Sequence, residues 1–202
     1  MKNFLDSDGI FYSVCNGIYH VFMLNLIWLL FSIPIFTMGA STTALFKVMD
    51  NFLQKKSTNL FKDFFHSFKL NFKQSTFFWI LFCGSSMIFY GAMKLMLSSN
   101  STWGKFISPL VLVLYLEVIL IFIYVFPVIA KYYLSSKDIV KVSFYLGNRY
   151  ILLNLIIIAV ILLIYYLMYL LPYYSILFFM GFYSITVLYL INPILNKYFK
   201  QS

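Results

Sequence analysis

Glu117 is the only glutamate in the chain and the only acid inside a long apolar run. It sits near the middle of the run 107–130, where an ionised carboxylate costs about 2.5–3.5 kcal/mol on insertion scales. An acid so placed has two uses. Held neutral and hydrogen-bonded, it glues helices together; kept titratable, it couples proton or substrate movement across the bilayer. Asn25, Ser184 and Thr186 fall at comparable depth in other apolar runs and are its expected partners.

Other chemistry is sparse. His20 and His66 stand far apart, and Cys15 and Cys83 lack the paired spacing of a disulfide or zinc framework, so no metal site is expected. The apolar runs contain no pair of carboxylates for acid-base work, and the chain has neither a GxSxG elbow nor a GxxxxGK[ST] loop. The expectation is a protein that is not an enzyme and needs no cofactor.

The elements that must position Glu117 are membrane helices. Of 202 residues, 62% are hydrophobic and 10% charged, against roughly 25% charged in soluble domains. Lipid is the solvent that accepts such a surplus of apolar surface. Apolar runs at 19–36, 76–97, 107–130, 151–171 and 174–195 predict an all-α, polytopic membrane helix bundle. It would be one integral membrane domain over 1–202 with five transmembrane helices. Asp6 and Asp8 precede the first run where a signal peptide would be basic, so that run reads as an uncleaved span. Pro172 should end the fourth helix and open a tight hairpin to the fifth.

Fifteen Lys and Arg face six Asp and Glu. Arg149 is the only arginine, so the forks that read bases and phosphates are nearly absent and nucleic acid is not an expected partner. The bases flank the runs instead. Lys47, Lys55, Lys56, Lys62, Lys69 and Lys73 follow the first, Lys131, Lys137, Lys141 and Arg149 the third, and Lys197 and Lys200 the fifth. Lys2, Lys94 and Lys105 lie on the other side. The positive-inside rule then predicts a multi-pass cell-membrane protein with its N-terminus outside and its C-terminus cytoplasmic.

The segment 59–74 has a pattern of its own. Phe61, Phe64, Phe65, Phe68 and Phe72 recur at three- and four-residue steps, with Lys62 and Lys69 on the opposite face. This predicts a cytoplasmic amphipathic helix whose phenylalanines enter the bilayer interface, pack under the bundle, or dock a partner. Before it, Pro34, Thr37, Gly39 and Thr43 make a membrane-to-surface elbow. Pro34 can kink the helix end, Gly39 permits a positive φ, and Ser41 or Thr42 can cap a helix over 43–52. The alternative is a nest of backbone donors for an anion. Tyr165, Tyr166, Tyr169, Tyr173 and Tyr174 read as an interfacial aromatic belt.

The stretch 31–45, FSIPIFTMGASTTAL, followed by FKDFFHSFKLNFKQ over 61–74, resembles the YesL-like family of bacterial membrane proteins. Pro34, Thr37, Gly39, Thr43, Ala44, Phe68, Asn71 and Phe72 carry the resemblance, with a weaker echo in Phe126, Pro127 and Lys131. It implies an integral membrane protein typically encoded beside carbohydrate ABC importers, with no catalytic residue to carry over. The expected role is an accessory or regulatory protein touching the lipid bilayer and importer subunits. The alternative is a small transporter, a homo-oligomer working around Glu117.

The charge pattern makes one direct prediction. With Cys15 and Cys83 replaced by alanine, a cysteine at Ser57 should resist a membrane-impermeant maleimide in intact cells and react once the membrane is opened.

Overall fold

The structure is a computed structural model that describes residues 10–56, 59–98, 102–170 and 178–201. The expected turn at 171–173 and the start of the fifth run lie outside the described residues, as do Ser57 and the first nine residues. Seven α-helices are described. They are α1 (Ile10–Ser32), α2 (Met38–Leu53), α3 (Leu60–Ser98), α4 (Thr102–Lys131), α5 (Ser136–Arg149), α6 (Ile151–Leu170) and α7 (Phe179–Gln201), with a 3-10 turn at Ile35–Thr37. No strand occurs among the described residues, so the all-α reading holds.

Among the described residues a count of five spans is not confirmed. Three helices, α3, α4 from Phe106 and α7, are long and apolar enough to cross a membrane. A fourth arises if α5 and α6, bent by 93° across Tyr150, form one broken span. The apolar part of α1, Cys15–Phe31, is too short to count.

The reason lies in the residues just after α1. Pro34, with φ −74°, prevents the chain from continuing the helix, and Thr37 Oγ1 lies 2.6 Å from the carbonyls of Phe31 and Pro34. The chain then turns straight back. Trp28 Nε1 donates to Thr42 Oγ1 at 3.1 Å, and His20 stacks on Phe52 with ring centroids 4.2 Å apart. Thus α1 and α2 form an antiparallel hairpin whose tip, Ile33, Ile35 and Phe36, is exposed and apolar. The elbow is the entry to a buried helix.

Helix α2 is the centre of the molecule, buried at every position from Gly39 to Phe46. It begins at Met38 with Thr37 as N-cap, and Ser41 and Thr42 are interior to it, not caps. Gly39 serves a purpose other than positive φ, since no described glycine has one. A Cβ at Gly39 would lie 2.5 Å from the Ser75 carbonyl and 2.6 Å from Trp79 Cβ. Its lack of a side chain lets α2 and α3 touch backbone to backbone.

Helix α3 runs unbroken for 39 residues. The amphipathic segment 59–74 is therefore the first part of the same helix as the second span, not a separate interfacial helix. Neither glycine nor proline falls between Leu60 and Cys83, so nothing stops helical propagation. Phe64, Ser67, Asn71, Ser75 and Phe78 form its buried stripe. Phe31 of α1 sits among Phe61, Phe64, Phe65 and Phe68 at centroid distances of 5.1–6.2 Å.

The remaining helices alternate in direction. Antiparallel α3 and α4 meet through Phe82 with Phe122 and Phe89 with Tyr115. Helix α5 begins near Gln74, which donates to the Leu134 carbonyl, and climbs along α4 until Gly147 meets Leu120. Helix α7 returns beside α1, α2 and α6 and reaches the end of α4, with Asn192 next to Asp50 and Phe199 stacked on Tyr132. One end of the bundle thus gathers the C-termini of α2, α4 and α7 and the N-termini of α3 and α5. It carries Lys47, Lys55, Lys56, Lys62, Lys69, Lys73, Lys131 and Lys197.

His20, stacked on Phe52, places the first half of α1 at this same basic end. The α1–α2 hairpin adds a reversal of direction that hydropathy did not count, so the expected opposition of N- and C-terminus is not supported. At the other end, α3 beyond Trp79 and the first half of α4 project as an apolar hairpin.

Replacing Gly39 by alanine should lower stability by about 1–3 kcal/mol through overpacking. Gly84→Ala, where nothing lies within 4 Å, should leave the melting temperature unchanged or slightly raised. Thermal unfolding in mild detergent reads both.

Candidate functional site

The polar groups of the basic end converge on Asp50, near the C-terminus of α2 and 4% exposed. A carboxylate this buried needs donors, and two arrive. Gln54 Nε2, one turn on, donates to Oδ2 at 2.7 Å; Asn192 Nδ2, from α7, donates to Oδ1 at 2.7 Å. The Asn192 amide then passes the interaction on, for its Oδ1 accepts from Lys131 Nζ at 2.9 Å. Asp50, Asn192 and Lys131 form a charge-assisted chain joining α2, α7 and α4. Burial, followed by the Asp50 carboxylate, pushes the neighbouring Tyr132 phenol above its ordinary pKa.

Beside this chain opens a cavity of about 270 Å³. Lys47 and Asn51 of α2, Lys56 after it, Asp63, His66, Ser67 and Asn71 of α3, and Lys131, Tyr132 and Tyr133 line it. Asn71 Nδ2 donates to the Ser67 carbonyl at 3.0 Å, and Asp63 Oδ2 accepts from the Asn59 amide at 3.1 Å. Asp63 is thereby engaged in starting α3. A second cavity, of about 340 Å³, lies among Trp28, Trp79, Phe122, Phe126 and Tyr183 and is almost wholly apolar.

The residues singled out by sequence do not form one polar site. Glu117 Oε1 accepts from Asn148 Nδ2 of α5. Asn25 is buried, and its Oδ1 accepts from the amides of Met180 at 2.9 Å and Gly181 at 3.3 Å, capping the start of α7. Thr186 Oγ1 donates to its own turn at Phe182, and Ser184 Oγ to Gly181. The depth estimate could not separate these residues by helix face. Glu117 meets the asparagine of a helix that climbs beside α4, in a segment read as a cytoplasmic loop.

The aromatic-basic surface divides as well. Phe64 is fully buried, whereas Phe61 and Phe65 are exposed and Lys69 Nζ sits 4.4 Å over the Phe65 ring. Lys62 is exposed. Of the elbow residues, Thr43 donates to the Gly39 carbonyl and its Oγ1 lies 2.8 Å from Ser75 Oγ. Among the described residues no cluster of His, Cys, Asp or Glu could hold a metal ion. Sequence reasoning missed Asp50 and Asn192. Asp50 did carry a signal, as the single acid between Asp8 and Asp63.

Asn192→Leu should leave Asp50 Oδ1 and the Lys131 ammonium without their partner and destabilise the protein by about 3 kcal/mol. Adding Asp50→Leu removes the stranded carboxylate and should recover part of that loss in the same unfolding assay.

The family model "Protein of unknown function, DUF624" matches residues 21–92, which cover most of α1, all of α2 and most of α3. The chain is 22% identical over 151 residues to "Uncharacterized protein YesL" of Bacillus subtilis (strain 168), covering 67% of this chain and 69% of that protein. No solved structure matches. The matched segment is the three-helix unit closed by Gly39, Thr43 and Ser75, the same residues that order the fold. Over residues 21–92 the chain thus matches a family of unknown function, and it is similar to YesL along two thirds of its length.

Proposed function

We propose that this protein is an accessory or regulatory subunit of the bacterial cell membrane that associates with carbohydrate ABC importer subunits, acting by contact and not by catalysis. In this reading the basic end faces the cytoplasm, where lysines gather on short loops and meet anionic headgroups. The role in import rests on the family resemblance.

One observation supports a contact role above others. The hairpin of α3 and α4 beyond the bundle presents large apolar side chains outward, with Met87 76%, Ile88 75% and Phe106 75% exposed. Lipid or another membrane subunit must cover them. Phe61 and Phe65 offer a second aromatic surface near the basic end. A second reading, a transporter, is favoured by the placement of Glu117 beside the α5–α6 bend, since discontinuous helices commonly build ion and substrate sites.

Purification from the native host in mild detergent separates the two. The accessory reading expects importer subunits to co-purify, and their recovery to fall severalfold when Phe61 and Phe65 are both serine. Absence of any importer subunit, together with solute uptake by the purified protein in liposomes that Glu117→Gln abolishes, would replace it with the transporter.

A further inference from the structure

The cavity at the basic end holds more positive charge than its own acids balance. Lys131 is answered by Asp50 through Asn192. Asp63 is the only carboxylate in the lining, and its Oδ2 is already taken by the Asn59 amide. Lys47 and Lys56 remain. Among the described residues no side chain or carbonyl accepts from either ammonium, and His66 adds a further donor. Lys47, Lys56 and Lys131 line the cavity from α2, the α2–α3 connection and the end of α4, with Lys131 already bonded to Asn192. That arrangement suits an oxyanion with several oxygens around one centre. No arginine lines the cavity, so the planar fork that matches a flat carboxylate is missing, whereas lysine binds phosphate as a point charge.

The fold holds this arrangement in place. The buried Asp50–Asn192 pair anchors Lys131, and the Gly39–Ser75 contact sets α2, carrying Lys47, against α3, carrying His66. Part of the lining, Ser67 and Asn71, is buried, where a charge interaction is screened less than on an open surface.

We propose that the cavity lined by Lys47, Lys56, His66 and Lys131 is a binding site for a phosphate-bearing group. The group arrives either as the headgroup of an anionic lipid or as a soluble phosphate ester from the aqueous side. This site is independent of the accessory reading, because it is defined by the chain's own residues and binding is measured without any importer.

The test uses the purified full chain. In one arm, inorganic phosphate is titrated against acetate at matched ionic strength in a neutral detergent, reading the melting temperature. In the other, the protein is placed in nanodiscs of phosphatidylcholine with and without phosphatidylglycerol. Stabilisation by inorganic phosphate but not acetate assigns a soluble ester, and stabilisation only by phosphatidylglycerol assigns a lipid. Either result should vanish, or the apparent affinity fall at least tenfold, in Lys47→Gln with Lys56→Gln. The arginine pair Lys47→Arg with Lys56→Arg should retain at least part of the effect, which separates lost charge from lost folding. Lys62→Gln with Lys69→Gln removes equal charge outside the cavity and should change affinity less than twofold. The proposal is overturned if neither arm shows stabilisation, if acetate equals phosphate, or if the two glutamine pairs weaken binding alike.

Discussion

The fold depends on one close approach, that of Gly39 in α2 to Ser75 in α3. At 2.5 Å from the Ser75 carbonyl there is no room for a Cβ. Lipid supplies no hydrophobic force between helices, so association rests on packing and on hydrogen bonds that small residues bring within reach. Thr43 and Ser75 then pair at 2.8 Å, and Trp79 donates to the Ile35 carbonyl at 2.8 Å. These contacts hold α2 between α1 and α3. They also turn the chain back directly after α1, which leaves Ile33, Ile35 and Phe36 exposed at the tip of the hairpin.

The same placement of α2 determines the chemistry of the basic end. A helix ending in Lys47, Asp50 and Asn51 is delivered next to the end of α4 and the last turns of α7. Buried charge is tolerated there because each member of the Asp50–Asn192–Lys131 chain is bonded to the next. The two ends of the molecule therefore differ in kind. One is a network of lysines and amides around a polar cavity; the other is an uncovered apolar hairpin.

Glu117 illustrates how depth and facing separate. Sequence position places it in the middle of an apolar helix and places Asn25 and Thr186 at similar depth in theirs. Asn25 instead accepts from amides at the start of α7, groups that a helix cannot satisfy internally. Glu117 faces α5. Composition cannot supply that neighbour, because α5, SKDIVKVSFYLGNR, reads as a polar loop until it is packed along α4.

Sequence alone determined the helical class, the membrane setting and the gathering of lysines at short loops, since each follows from composition and from the length of apolar runs. It also marked 31–45 and 61–74 as the informative part of the chain, the region the family model covers. What it could not determine was the role of α2. Hydropathy scores the side chains a helix possesses, and α2 is buried through those it lacks: glycine, alanine, serine and threonine read as an elbow yet permit the closest packing in the molecule. The end at which α1 begins and the meeting of Asp50 with Asn192, 142 residues apart, both depend on that helix. Only tertiary structure decides them, because each is a matter of which faces meet and not of how apolar any segment is.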